Sequence, residues 1–458
     1  MSICTSFLNV NHQGKVISKL KNDKNLPFSE VLTKEDLSRH IKKIKYRDRI
    51  FSPEVTLWAF LSQAIEDDKS QQAAVGRIVA AAVADGAKPP SANTSAYSQA
   101  RSRLPEESLA TLTRETAQQI ASSTPIAWLW KNKRIKLIDG STLSMPDTEK
   151  NQEVYPQSKS QKLGVGFPIA RIVAIIDYIT GVVLDLAIGP CRGKQTGEHA
   201  LLRELLSLFD TDDIVMGDRY YPSFFLMAAL IKQGVSGVFP AHHGRKPDFR
   251  RGKRLGKKDH IVSWKKSVKP AWMEQAEYDA APEEIMVREV ATEIKRPGFR
   301  TEVRILVTTL LDPVAYSASD LASLYCYRWF IELSLRAIKD TMHMDILRGK
   351  TPEMVRKEIW VHLLAYNLIR RLMAQAAWIH GKTVATLSFK LTLQITKAFQ
   401  QAGLLNENNP EIYGKLLEAI NCKQVGNRPD RQEPRRVKRR PKPFPLLQKA
   451  RSLYANAA

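Results

Sequence analysis

Between Ile135 and Ala241 the spacing of apolar residues changes from a helical period to strands, and this constrains the fold more than any other feature. "IKLIDGSTLSM" reads as an apolar strand that ends at Asp139, and "PIARIVAIIDYITGVVLDLAIG" holds two β-branched runs joined by a turn at Thr180 and Gly181. A helix follows in "GEHALLRELLSLF", then a short strand "DIVMGD" ending at Asp218, a helix "SFFLMAALIKQG" and a strand "SGVFPA". Three strands, helix, strand, helix, strand is the order of an α/β core.

The flanks differ. Residues 1–125 read as a helical module: "LTKEDLSRHIKKI" carries Thr33 as an N-cap with Asp36 three residues on, and "SPEVTLWAFLSQAI" and "PEESLATLTRETAQQIA" keep a helical period. Between them "DGAKPPSANTSAYSQARSRLP" is rich in loop formers yet carries Tyr97, Arg101 and Arg103. After the core, "HHGRKPDFRRGKRLGKKDH" clusters Arg and Lys, and "HIVSWKK", "EIMVREVATEI" and "TEVRILVTTL" read as strands, a mostly β insertion at about 241–313. The adjacent His242 and His243 are expected to point apart in a strand, which makes a weak metal site. The α/β region closes near residue 350, an amphipathic helical region follows to 420, and 421–458 is a basic tail with eleven Lys or Arg against two acids.

Charge narrows the partners. Of 458 residues, 70 are Lys or Arg and 47 are Asp or Glu, a net charge of +23. Such a surplus attracts polyanions, nucleic acid first and an anionic membrane surface second. Apolar runs such as Phe224 to Ile231 fall well short of the roughly 20 residues that span a bilayer. The first residues lack the pattern of a signal peptide, so the expected location is the cytoplasm. The four cysteines, Cys4, Cys191, Cys326 and Cys422, show no paired spacing and suggest neither a disulfide framework nor a thiolate zinc site.

"YCYRWFIELSLRAIK", residues 325–339, sets charges into an apolar helix. At about 100° per residue, Tyr325, Arg328, Glu332 and Lys339 fall within a wedge of about 60°, beside a stripe of Ile331, Leu335 and Ile338. Taken alone, Arg328 with Glu332 is also the spacing of an ordinary helix salt bridge. Asp139, Asp218 and Glu332 nevertheless lie where an α/β core binds ligands, at strand ends and on a following helix. Three carboxylates held close suit two hard cations, Mg²⁺ best, for an in-line displacement at phosphorus. The other reading makes Asp139 a turn residue with Gly140 and pairs Asp218 with Arg219.

The spacing of Tyr325, Arg328, Glu332 and Lys339 resembles the signature of the insertion-sequence-four family of bacterial DDE transposases. "LIDGSTL" and "GDRYY" resemble that family's two aspartate motifs, and "GFPIARIVAIIDYITG" resembles its core. The likeness covers roughly residues 130–370. It implies a ribonuclease H-like catalytic domain at 126–350, with Asp139, Asp218 and Glu332 as catalytic and metal-binding residues for Mg²⁺, with Mn²⁺ an alternative, as two ions. It implies cut-and-paste transposition of DNA bearing terminal inverted repeats, by a dimer assembled on that DNA, with residues 1–125 as a DNA-binding module. Tyr325, Arg328 and Lys339 would meet the DNA backbone near the cut, together with Arg219. The charge of the stretch from Arg245 to Lys258 makes Arg250, Arg251, Lys253 and Arg254 further DNA contacts. One departure stands out: relatives that form a DNA hairpin hold a flipped base on an aromatic residue, and the matching position is Ile305, with Trp264 and Trp272 as substitutes or as core. Two other readings stay open, a DNA-binding protein derived from a transposase that no longer cuts, and a nuclease that cuts without joining.

Overall fold

The computed structural model describes residues 39, 50–84, 89–294, 302–402, 404, 410–423, 446–450 and 453. The helix expected from Thr33 and most of the basic tail lie outside the described residues. The chain divides into two compact units. One draws on Met1–Thr124, Ile179–Asp185 and Ser334–Val425, the other on Pro125–Tyr178, Leu186–Leu333 and Gly426–Ala458. Among the described residues, no helix is long and apolar enough to cross a membrane.

The first unit is helical. Helix α1 (Pro53–Ile65) starts where the Ser52 hydroxyl accepts the Val55 N–H at 3.3 Å, with proline at its first position. Then come α2 (Gln71–Ala84), α3 (Ser95–Arg103) and α4 (Glu106–Ser122). Helix α3 occupies the stretch rich in loop formers. Tyr97 is fully buried there and donates to Gln63 Oε1 at 2.9 Å, so tertiary packing overrides local propensity.

The second unit carries a nine-stranded sheet in the order β3-β2-β1-β4-β5-β9-β8-β7-β6. Strand β1 (Ile135–Ser144) leads through a short helix α5 (Glu149–Val154) to the hairpin of β2 (Ile169–Asp177) and β3 (Val183–Pro190). Helix α6 (Glu198–Arg203), strand β4 (Ile214–Met216), helix α7 (Phe224–Lys232) and strand β5 (Ser236–Pro240) complete the core. Strands β6 (Lys253–Gly256), β7 (Asp259–Lys265), β8 (Glu284–Ile294) and β9 (Glu302–Thr308) follow, with helix α8 (Gln275–Ala280) between β7 and β8. These later strands extend the same sheet, because β9 pairs antiparallel with β5, Val238 opposite Thr308.

Register positions the site. Strands β1 and β4 run parallel and their pairing stops at Leu137 opposite Met216; β4 ends there, whereas β1 runs on to Ser144 against β2, which corrects the strand end expected at Asp139. Asp139 and Asp218 each lie two residues beyond that pair. Strand β4 is wholly buried, as β-branched residues covered on both faces should be. The buried Lys136 Nζ pairs with Asp213 Oδ2 at 2.6 Å, tying the start of β1 to the approach to β4.

Helices α9 (Ala318–Cys326) and α10 (Trp329–Arg336) follow β9, and the chain then returns to the helical unit with α11 (Pro352–Ile379), α12 (Phe389–Gln401) and α13 (Pro410–Asn421). Helix α11 is buried along most of its length. Its Asn367 side chain donates to Val183 O at 3.0 Å and accepts from Val183 N at 2.9 Å, standing in for a strand partner.

Candidate active site

Asp139 and Asp218 are fixed by their own main chain. Asp139 Oδ1 accepts the Gly140 N–H at 2.9 Å, and Asp218 Oδ1 accepts the Tyr220 N–H at 2.7 Å. Both side chains are half-buried. Burial pushes the Asp139 carboxyl up to about 6. The Gly140 N–H and Arg328 pull it down, while the like charges of Asp218 and Glu198 raise it further. Asp139 and Gly140 lie inside β1, paired with Ala174 and Val173 of β2, where the sequence suggested a turn; Asp218 lies just beyond β4, within electrostatic reach of Asp139.

The segment from Tyr325 to Lys339 is not one helix, which corrects the wheel drawn from sequence. Helix α9 ends at Cys326, and the junction is closed by tight bonds, Arg328 N to Tyr325 O at 3.1 Å and Ile331 N to Arg328 O at 3.2 Å. Tyr178, at the end of β2, stacks on Tyr327 at 4.5 Å and leans on Phe330 at 5.3 Å, which fills the junction with aromatic rings. Beyond α10 the turn Ala337–Thr341 widens to a π-helix, with Met342 N donating to Ala337 O at 3.0 Å. A tight turn advances the chain by more than 100° per residue and a π turn by less, so a single angular step does not carry from Tyr325 to Lys339.

Glu332 lies in the first turn of α10 and is half-buried. Its Oε1 is in contact with Arg328 Nη2, four residues earlier, so the helix salt bridge read from sequence is present. Burial works against the charge of Arg328, but Tyr325, Glu332 and Asp139 outweigh it and hold the guanidinium above its ordinary value. The Tyr325 hydroxyl is buried beside Arg328 and Arg304 of β9; burial pushes it above its ordinary value, and both arginines pull it back. Lys339 sits half-buried in the π turn, in the helical unit. Among the described residues, no three His, Cys, Asp or Glu side chains are grouped so as to hold a metal ion.

Sequence reasoning missed two residues here. Glu198, the first residue of α6, and Arg304 both reach the groups just described, and both act through tertiary contacts that no local pattern announces. The signal available was slight: Glu198 opens a helix after the third strand, on the edge where the aspartates emerge.

The basic stretch is more structured than a loop, since Lys253–Gly256 form β6. Arg250 and Arg251 are highly exposed, and both contact Asp248, at 2.9 and 3.4 Å. Lys253, Arg254 and Arg219 are exposed. Trp264 is core: it is 3% exposed, donates to Glu289 Oε1 at 3.0 Å and is capped by the Arg245 guanidinium 3.6 Å from its ring. Trp272 is half-buried, lies under the Arg203 guanidinium at 3.7 Å and lines a cavity of about 300 Å³ with Phe225 and Leu202. The rings of His242 and His243 lie 4.0 Å apart in a turn beyond β5, where the sequence suggested a strand that would separate them.

Comparison with known proteins shows the family of the chain. The transposase DDE domain family matches residues 130–368, just over half of the chain and the whole stretch from before Asp139 to beyond Glu332. The chain is similar to the transposase InsG for insertion sequence element IS4 of Escherichia coli K12, 27% identical over 415 residues that cover 89% of each protein. It also resembles the putative transposase InsL for insertion sequence element IS186A of the same organism, 42% identical over 65 residues, 14% of this chain and 18% of that one. Among solved structures, the piggyBac transposase synaptic complex with hairpin DNA aligns with a TM-score of 0.45 and 13% identity, over 87% of this chain and 85% of that one. The chain thus belongs to the transposase DDE domain family, as a transposase of the insertion-sequence-four kind.

Proposed function

We propose that this transposase binds the terminal inverted repeats of its element, cuts the DNA there and joins the cut ends to a target, using divalent cations on a ribonuclease H-like core. The observation that carries this reading is the placement of Asp139 and Asp218, each two residues past the last pair of the neighbouring parallel strands β1 and β4, with Asp139 sensing the charge of Asp218. Repelling carboxylates held by main-chain bonds suit a hard cation, whose charge offsets the repulsion. Asp139, Asp218 and Glu332 would hold Mg²⁺ or Mn²⁺ as two ions. Such ions, when bound, make a water or 3′-hydroxyl a better nucleophile and stabilise the leaving oxygen at phosphorus.

The remaining groups position DNA. Arg328 holds Glu332 in the absence of DNA and exchanges it for a backbone phosphate, to which a guanidinium offers a two-pronged fork. That exchange leaves the Glu332 carboxylate available to the site. The buried Tyr325 hydroxyl, beside Arg328 and Arg304, would donate to a phosphate oxygen. Lys339 and Arg219 add point contacts to the backbone, and Arg250, Arg251, Lys253 and Arg254 add a basic surface farther along the duplex. In this reading, residues 1–125 form a DNA-binding module, 126–350 the catalytic domain with its β insertion at about 241–313, 351–420 a helical support and 421–458 a basic tail. The protein acts as a dimer on DNA, in the bacterial cytoplasm at the nucleoid.

Incubating the purified protein with a duplex carrying the element's end, supercoiled target DNA and Mg²⁺ tests this reading. Joined products are the expected outcome. Cleavage without joining would make the protein a nuclease, and binding alone would make it a DNA-binding derivative.

A further inference from the structure

Glu198 stands outside the three carboxylates assigned above, yet its contacts reach the main chain beside both aspartates. Its side chain lies against the main chain of Gly140: a Cβ added to Gly140 would fall 2.3 Å from Glu198 Cδ and 2.5 Å from Oε1. Only glycine fits beside Asp139 while Glu198 occupies that place. The other oxygen, Oε2, accepts the Tyr221 hydroxyl at 3.2 Å. Tyr221 is fully buried, and its N–H donates to Asp218 O at 3.3 Å. The next residue of α6 repeats the pattern, with His199 Nε2 2.7 Å from the Tyr220 carbonyl oxygen. The approach to α6 is itself held, because Arg171 of β2 donates from Nη1 to Thr196 O at 2.7 Å.

Two consecutive residues of one short helix therefore reach β1 beside Asp139 and the turn after β4. Packing alone does not account for a glutamate there. A glutamine would keep the hydrogen bond from Tyr221 and remove a third negative charge from an edge where carboxylates already repel. The charge is accounted for when the edge receives a cation.

We infer that Glu198 is a positioning residue of the active site, fixing the separation of Asp139 and Asp218 through Gly140 and Tyr221 and adding negative charge that favours a divalent cation between them. The inference rests on the cation-dependent reading proposed above. Residues that orient the ligands of a metal site typically change affinity or activity by roughly 10- to 100-fold when replaced.

Isothermal titration of Mn²⁺ alone into the full chain tests this, with wild type, Glu198→Gln, Tyr221→Phe and Asp139→Asn compared and each variant's melting temperature recorded. Wild type should bind and Asp139→Asn should lose binding. Glu198→Gln and Tyr221→Phe should bind roughly 10- to 100-fold more weakly while melting close to wild type. Wild-type affinity in Glu198→Gln overturns the role of Glu198, even if Asp139→Asn has lost binding. Undiminished binding in Asp139→Asn, or none in wild type, removes the cation reading and this inference with it. Should Glu198→Gln fail to fold, Tyr221→Phe decides on the same criterion.

Discussion

The two aspartates and the glutamate of this site are held in different ways. Asp139 stands within β1 and Asp218 just beyond β4, and each accepts a hydrogen bond from the main chain one or two residues on. Their places follow from the sheet, which cannot shift without breaking its ladder. Glu332 stands on an eight-residue helix and is held by the side chain of Arg328. An ion pair at four-residue helix spacing contributes only a few tenths of a kcal/mol. In the proposed reading, Asp139 and Asp218 form a fixed pair and Glu332 joins them when a DNA phosphate takes Arg328.

The largest effects should come from the carboxylates. Asp139→Ala, Asp218→Ala and Glu332→Ala should each reduce cleavage of end DNA to background while leaving end binding largely intact, measured by gel shift beside nicking. The conservative changes should separate the two kinds of support. Asp218→Glu, in a fixed turn, should be as inactive as the alanine variant, whereas Glu332→Asp should keep residual nicking, about 100-fold below wild type, as expected of a displacement of about 1 Å. Equal activity in the two would erase the distinction.

Arg328→Ala should lower nicking by about 100-fold because the phosphate is no longer positioned, yet change stability by only a few tenths of a kcal/mol. If Arg328 serves only as a helix salt bridge, nicking rates will match wild type and the exchange proposed for Glu332 fails.

The raised carboxyl of Asp139 gives a smaller effect with a definite sign. Its ordinary value of 3.8 is raised to about 6 by burial, so the folded protein holds this proton more tightly than the unfolded chain. Cation-free protein should therefore lose stability from this group as pH rises from about 4 through 6, with no further change above. Mn²⁺ affinity should fall by up to about tenfold per pH unit below 6, since the proton and the cation compete for one carboxylate. Asp139→Asn should flatten the stability trend in melts between pH 4 and 7. A melt profile unchanged by that substitution would leave Asp139 with an ordinary carboxyl.

The smallest effect concerns the basic strand. Neutralising Lys253 and Arg254 should flatten the dependence of DNA affinity on salt by up to about one unit for each phosphate left without its cation. Neutralising Arg250 and Arg251 should change it less, because Asp248 already contacts both. Equal slopes in both double variants would mean that Asp248 does not moderate its neighbours on DNA.

Much of this arrangement was legible in the sequence because it rests on short-range pattern. The apolar runs before Asp139 and Asp218 mark strands whatever surrounds them, and their parallel pairing brings both residues to one level, although β1 runs on past Asp139 to Ser144. What escaped is governed by tertiary contact. Arg328 lies at a junction where Tyr178 stacks against Tyr327, a partner almost 150 residues away, and no local period reveals the break between α9 and α10. Tyr97 and Arg101 sit among loop formers but pack with Gln63 of α1, and they form a helix there. Glu198 looks like any acidic residue in a first helical turn until Gly140 and Tyr221 are brought against it.

The most direct test of the central claim, that Asp139 and Asp218 hold a divalent cation, is the metal preference of Asp218→Cys. A thiolate is a poor ligand for Mg²⁺ and a better one for softer Mn²⁺. Nicking of end DNA by this variant should be at background in Mg²⁺ and measurably restored in Mn²⁺, while Asp218→Ala stays inactive in both. If Asp218→Cys nicks as fast as wild type in Mg²⁺, or Mn²⁺ restores nothing to a variant that still folds and binds DNA, Asp218 does not hold the cation.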